Sequence, residues 1–370
     1  MKKIGIITWF RHENFGTALQ AVALQRYLKT YYETELIDYK IPAPNNKKPS
    51  SAKSFYVFSG KIFKKIDNAL HKQQLKQKSE NFLSFIETQC TISKYVDSKN
   101  DYIDLCNSYD ILFFGSDQIW NPNWFHDCYY ANYKEILTPK VSYAPSFGVS
   151  NIDASDESKI KHALKTFNHV SVREKTGIDI VQKATGIEPE LVVDPTLLIS
   201  KKDWEGMENT NVHNNDNYIL CYMLTDNKNH WKAIRAFSKK KKMKLVVLPH
   251  DGHSLIKSRD VIRNAGPSEF LALIHNANYV ITDSYHAVIF SLIYNKKFLI
   301  FERHDPNLSG SENSRIYNLL ELLNIKDKLL PFNTATIKEL DIVLQNSSND
   351  LSLLIDKSKR YIDTAIKEIK

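Results

Sequence analysis

The run Asp283-Ser284-Tyr285-His286 follows a short apolar stretch, Tyr279 to Thr282, and leads at once into another. Polar residues at such a junction sit where a buried strand gives way to a helix. A histidine in that place can trade a proton: the helix N-terminus lowers its pKa and a neighbouring carboxylate raises it, so general acid and general base are both open. Similar junctions recur along the chain. They are Arg11-His12-Glu13-Asn14-Phe15-Gly16-Thr17, Gly115-Ser116-Asp117-Gln118-Ile119-Trp120-Asn121-Pro122, Pro145-Ser146-Phe147-Gly148, Arg173-Glu174 and Asp194-Pro195-Thr196. Each alone is ordinary turn chemistry. Together they gather amides, hydroxyls, acids and an arginine along one rim.

Two arginines stand out. Arg173 either pairs with an acid such as Glu174 or meets an anionic ligand, since a guanidinium grips carboxylate and phosphate oxygens bidentately. Arg315 opens a helix in Ser311-Glu312-Asn313-Ser314-Arg315, and a bridge to Glu312 competes there with anion binding. No metal site is expected. His250 and His253 are three apart, but no third ligand is near, and the four cysteines, Cys90, Cys106, Cys128 and Cys221, form no CxxC pair.

These junctions need a scaffold of alternating strands and helices. Ile4 to Trp9, Leu36 to Tyr39, Ile111 to Phe114, Val141 to Ala144, Val170 to Val172 and Leu191 to Val193 read as strands of a first block. Thr17 can cap a helix that buries Leu19, Val22, Ala23 and Leu28. Pro42 to Ser59 reads as a mobile insertion, and Lys61 to Thr88 as basic helix. Asn209 to Asn217 is too polar for a core and suits a linker. Strands then resume at Tyr218 to Leu224, Leu245 to Leu248, Tyr279 to Thr282 and Phe298 to Phe301. Alternation of this kind implies parallel sheets covered on both faces, with ligands beyond the carboxyl ends of the strands. The expected fold is α/β, two Rossmann-like domains facing a cleft: residues 1–205 with an insertion near 42–88, residues 206–345, and a C-terminal helix over 346–370.

The bulk properties narrow the function. The 370 residues suffice for two domains, and no apolar stretch reaches the ~18 residues of a membrane helix. The opening MKKIGIITWF lacks a signal-peptide pattern, so a cytoplasmic protein is expected. The net charge of +8 is concentrated in Lys47 to Lys78 and Lys239 to Lys242, which suits a solvated face or an anionic partner. No nucleic-acid-binding motif is evident.

The ordered set of junctions resembles the polysaccharide pyruvyl transferases. It is carried by Asn14-Phe15-Gly16-Thr17-Ala18-Leu19-Gln20, Gly115 to Pro122, Tyr143 to Gly148, Ser171-Val172-Arg173-Glu174, Val193 to Thr196, Gly266-Pro267-Ser268-Glu269-Phe270 and Thr282 to His286, which cover roughly residues 3–325. The resemblance implies a fold similar to GT-B glycosyltransferases, and transfer of pyruvate from phosphoenolpyruvate to sugar hydroxyls as a cyclic ketal in surface or capsular polysaccharide synthesis. On that reading His286 is the general acid, and Asp117 or Asp194 orients or deprotonates an acceptor hydroxyl. Arg173 and Arg315 hold the donor, while Asn14, Gly16, Ser116 and Ser284 line the substrate. Trp120 and Trp9 stack on a sugar or pack in the core. No cofactor beyond the donor is implied. The acceptor is a saccharide, often lipid-linked in such pathways, so the basic helix could rest on the anionic inner membrane face. One departure is plain: better-studied branches carry Arg-Leu-His where this chain has Ser284-Tyr285-His286, which passes the anion-binding task to Arg315. The competing readings are a nucleotide-sugar glycosyltransferase on the same fold and a non-catalytic saccharide-binding protein.

Overall fold

The computed structural model describes residues 1–40, 55–212, 217–250, 252–306, 313–338 and 349–369. The chain divides into two compact units: Met1–Asn46, Ile86–Ile199 and Asn349–Lys370 in the first, Lys47–Phe85 and Ser200–Ser348 in the second. Most of the expected Pro42 to Ser59 insertion lies outside the described residues.

The first unit is built on β1 (Lys3–Ile7), β2 (Glu33–Leu36), β3 (Ile111–Phe114) and β4 (Lys140–Ser142), in the order β2-β1-β3-β4. All its pairings are parallel. A bridge from Val141 to His169 leads on to a small parallel pair, β5 (Ser171–Val172) and β6 (Glu190–Leu191). The second unit carries β7 (Tyr218–Tyr222), β8 (Lys244–Val247), β9 (Asp260–Val261), β10 (Tyr279–Thr282), β11 (Lys297–Phe301) and β12 (Leu329–Leu330). Their order is β12-β11-β10-β7-β8-β9, again all parallel. The near-continuous apolar strands follow from this: every residue of Ile111–Phe114 and of Tyr218–Tyr222 is buried, as befits strands covered on both faces.

One expectation about segment ownership is corrected. The basic segment forms helices Phe55–Leu70 and Lys72–Gln89, and it belongs largely to the second unit. Asp67 receives Arg263 Nε on both oxygens, at 2.9 and 3.0 Å, and Asn81 donates to the carbonyl of Asn264 at 2.9 Å. The C-terminal helix Asn349–Glu368 is part of the first unit: Ser358 Oγ accepts from Val193 N–H at 2.9 Å, and Tyr361 donates to the Ser142 carbonyl at 2.9 Å. Nor is Asn209 a linker residue, because its amide donates to Glu269 at 2.8 Å; residues 213–216 lie outside the described set.

Local chemistry sets the strand ends. Asn14, not Thr17, caps helix Phe15–Lys29, accepting from Thr17 N–H at 3.2 Å. Gly115 has φ +156°, and a Cβ there would lie 1.7 Å from the carbonyl oxygen of Tyr143. Only glycine lets β3 end this close to its neighbour.

Candidate functional site

In the second unit, polar groups collect at the carboxyl ends of β7, β10 and β11. Asp283 is fully buried. Its carboxylate accepts from Leu224 N–H at 2.6 Å, Thr225 N–H at 3.1 Å and the Thr225 hydroxyl at 2.7 Å. It is thus a tie between two strand ends, which corrects the picture of an acid serving mainly as a neighbour to His286. Ser284 and His286 follow it, 5 % and 7 % exposed, at the start of helix Tyr285–Ile293. The Ser284 N–H donates to Thr282 Oγ1 at 2.9 Å, which fixes the turn into the helix.

Two arginines share this edge. Arg315 is 7 % exposed in the first turn of helix Ser314–Leu322; Glu312, its expected partner, lies outside the described residues. Arg303, two residues past β11, is 9 % exposed, and its Nη2 donates to the Asp283 carbonyl at 3.3 Å. Asn313 joins the two segments, accepting from Arg303 and His304 N–H at 3.1 Å each. Arg303 was missed in the sequence. The signal was present, since it follows the apolar run Phe298 to Phe301 just as Arg173 follows Val170 to Val172.

Behind this edge lies His230, with no exposed surface, stacked on Phe301 with centroids 4.1 Å apart. Burial pushes its pKa down to about 4, against the opposing pull of Asp283 and Glu302. In the unfolded chain it titrates near 6.5. Between those values the unfolded state holds more protons, so stability is intact above pH 6.5 and drains as pH falls towards 4. We expect the second unit to lose up to about 3 kcal/mol over this window. His230→Phe should flatten that part of the melting-temperature profile, and an unchanged slope would reject the assignment.

The rim of the first unit is more occupied than expected. Arg173 Nη1 donates to Asp194 Oδ2 at 2.6 Å, with the two side chains 1 % and 0 % exposed. Asp194 also takes Thr196 N–H and its hydroxyl, at 3.0 and 2.7 Å. Glu174 lies 3.6 Å from the same guanidinium, so Arg173 sits between two buried carboxylates and the three side chains brace the rim. Glu174 does similar work, accepting from Ser146 Oγ at 2.7 Å and Phe147 N–H at 3.1 Å.

Ser116 is fully buried, with its N–H on Gln20 at 3.0 Å and its hydroxyl on the Ala144 carbonyl at 2.8 Å. Trp120 is also fully buried: it stacks on Tyr130 with centroids 5.3 Å apart, and its indole N–H reaches the Tyr129 carbonyl at 3.2 Å. Neither offers exposed surface, and Trp120 packs in the core, where Tyr130, Phe147 and Phe167 enclose an indole that the sequence leaves ambiguous. Gly16 is buried in the first turn of its helix, and Asn14 is its exposed cap. Asp117 keeps its place at a strand end. It is 7 % exposed, has φ +60° and accepts from the Thr17 hydroxyl.

Among the described residues, no group of three or more His, Cys, Asp or Glu is placed to hold a metal ion. His253 instead meets Asp226 at 3.3 Å. No helix among the described residues is long and apolar enough to cross a membrane.

Solved structures of several sugar-nucleotide enzymes share this architecture. UDP-GlcNAc 2-epimerase from Neisseria meningitidis, bound to UDP-GlcNAc, superposes with a TM-score of 0.52 at 13 % identity, over 100 % of each chain. The S. aureus MnaA–UDP complex gives 0.52 at 12 % identity, over 98 % of this chain and 88 % of that one. Anabaena Alr3699/HepE, in complex with UDP and glucose, gives 0.52 at 10 % identity over 100 % of each. At such identities the likeness is one of fold, and that fold is of the GT-B type. No curated protein sequence matches the chain. The profile of the family described as polysaccharide pyruvyl transferase matches residues 14–305, from the cap of the first helix to just beyond Arg303; the chain belongs to that family.

Proposed function

We propose that this protein transfers the pyruvyl group of phosphoenolpyruvate to two hydroxyls of a saccharide, forming a cyclic ketal and releasing phosphate. The observation that carries this reading is the trio at one strand edge of the second unit: His286, Arg303 and Arg315, each less than a tenth exposed. Buried cations of this kind suit a small donor that bears both a carboxylate and a phosphate. The first turn of helix Tyr285–Ile293 adds N–H groups and the positive end of a helix dipole.

His286 gives a proton to C3 of the donor, and positive charge develops at C2. Two acceptor oxygens bond to C2 in turn, and the bond from C2 to the phosphate oxygen breaks between them. Of the two hydroxyl protons released, one restores the histidine and the other leaves with phosphate. Arg303 and Arg315 hold the donor and offset the charge on departing phosphate. Ser284 contributes a hydroxyl at the same edge. In the first unit, Asp117 orients an acceptor hydroxyl. No cofactor enters the scheme.

The place of action is the cytoplasmic side of a membrane that carries lipid-linked acceptors. Helix Phe55–Leu70 supports it, exposing Ile66 and Leu70 among lysines of the same stretch.

One experiment tests these points together. The protein is given phosphoenolpyruvate and a panel of hexose acceptors, free or displayed on anionic vesicles, with UDP-glucose as a parallel donor. Phosphate release matched by a pyruvyl mass gain on the sugar is the expected result, faster on vesicles. Equal rates free and displayed would remove the membrane contact; glycosyl transfer in place of pyruvyl transfer would overturn the main reading.

A further inference from the structure

The first unit carries a small polar-aromatic pocket at the carboxyl ends of β1 and β2, and of its lining only Trp9 has a role above. We infer that it is a subsite for one ring of the acceptor saccharide, built by Trp9, Arg11, Asp38, Tyr39 and Tyr129, with Trp124 packed against Trp9. This rests on the proposed transferase reading for the name of the ligand, but its geometry stands alone.

The pocket encloses about 80 Å³, enough for a hydroxymethyl arm or the hydroxylated edge of a sugar while the ring stays outside. Its floor holds a fork. Arg11 Nε donates to Asp38 Oδ1 at 2.8 Å and Nη2 donates to Oδ2. Asp38 is anchored from behind, with its backbone N–H on Ser93 Oγ at 3.0 Å, and its side chain is 6 % exposed. Arg11 is 48 % exposed, and its Nη1 takes no part in the fork. A guanidinium has five N–H groups and a carboxylate roughly four acceptor positions. The mutual contact uses two of each, and the rest can serve vicinal hydroxyls.

Charge decides the class of ligand. Asp38 repels an anion and Arg11 repels a cation, and the neutralised pair favours an uncharged molecule rich in both donors and acceptors. The walls add the second criterion. Trp9 is half-buried, with its centroid 5.5 Å from Trp124 and 5.9 Å from Tyr129. Trp124 is 46 % exposed and packs against Trp9, which lines the pocket. Tyr39 closes the other side, packed on Tyr102 at 4.5 Å. Flat π-faces beside a hydrogen-bonding fork match a pyranose, whose C–H face is apolar and whose rim is hydroxylated.

The test is saturation-transfer NMR and calorimetric titration of the full chain with methyl glycosides of glucose, galactose, mannose and their N-acetyl analogues, without donor. At least one glycoside should bind. Trp124→Ala and Arg11→Gln should each weaken it by about tenfold or more, while Trp124→Phe retains most of the affinity. Trp124 is substantially exposed, so its variants should keep the wild-type melting temperature; Arg11→Gln unpairs the 6 % exposed Asp38 carboxylate and should lower it, so its affinity is read at a temperature where the chain is folded. Unchanged affinity in Trp124→Ala and Arg11→Gln, or no binding by the wild type across the panel, would overturn the subsite. Sugar binding that depends on Trp124 and Arg11, without phosphate release from phosphoenolpyruvate, would keep the subsite and reject the transferase reading. Pyruvyl transfer onto a glycoside, with phosphate release indifferent to both substitutions, would do the reverse.

Discussion

His286→Asn is expected to lower phosphoenolpyruvate-dependent phosphate release by about 10³-fold, the middle of the range for a positioned general acid. The substitution keeps a polar side chain of smaller reach in the first turn of helix Tyr285–Ile293 and opens only a small gap. The turn itself does not depend on the imidazole, because Asp283 fixes it through Leu224 and Thr225, and Ser284 N–H is held by Thr282. The melting temperature should therefore stay within a degree or two, and phosphoenolpyruvate should still raise it, since Arg303 and Arg315 remain. Loss of turnover with the donor still bound separates proton delivery from donor binding. Phosphate release near the wild-type rate would end the assignment of His286 as the acid.

Much of the scaffold was legible because strands covered on both faces leave an unmistakable apolar run. Ile111–Phe114 and Tyr279–Thr282 fall where the sequence puts them. The two-residue strands Asp260–Val261 and Leu329–Leu330 are too short to show any period, and they escape notice. The junctions at strand ends were equally visible, but their roles were not, because a role depends on partners distant in sequence. Arg173 looks like a ligand-binding arginine until Asp194, 21 residues on, is seen to take it. Asp283 looks like a helper for His286 until Thr225, 58 residues back, is seen to occupy it. Ser116, first in a polar corner, turns inward to Gln20, 96 residues away. The rule that an arginine just past a buried strand faces a ligand picked the arginine with a buried carboxylate opposite and passed over Arg303, to which the donor is proposed to bind. The same distance in sequence hid the ownership of the basic helices, which Arg263 ties down through Asp67.

Arg303 and Arg173 therefore make a contrasting pair. Arg303→Gln should reduce kcat/KM for phosphoenolpyruvate by about 10²-fold, corresponding to one or two lost hydrogen bonds to a charged donor. Arg303→Lys should recover only part of it, since a point charge cannot replace a bidentate fork. Asn313 holds the backbone N–H of Arg303, which neither substitution touches, and the melting temperatures of both variants check the fold. Arg173→Gln should behave in the opposite way. It strands the fully buried Asp194 carboxylate, and removing one partner of a buried pair costs about 3–5 kcal/mol, so the first unit should melt well below the wild type. Enough Arg173→Gln protein folded at low temperature should retain near-normal KM for the donor. Were Arg173→Gln to raise the donor KM while leaving the melting temperature alone, and Arg303→Gln to do neither, the donor would have to be reassigned from the edge of β10 and β11 to the rim of the first unit.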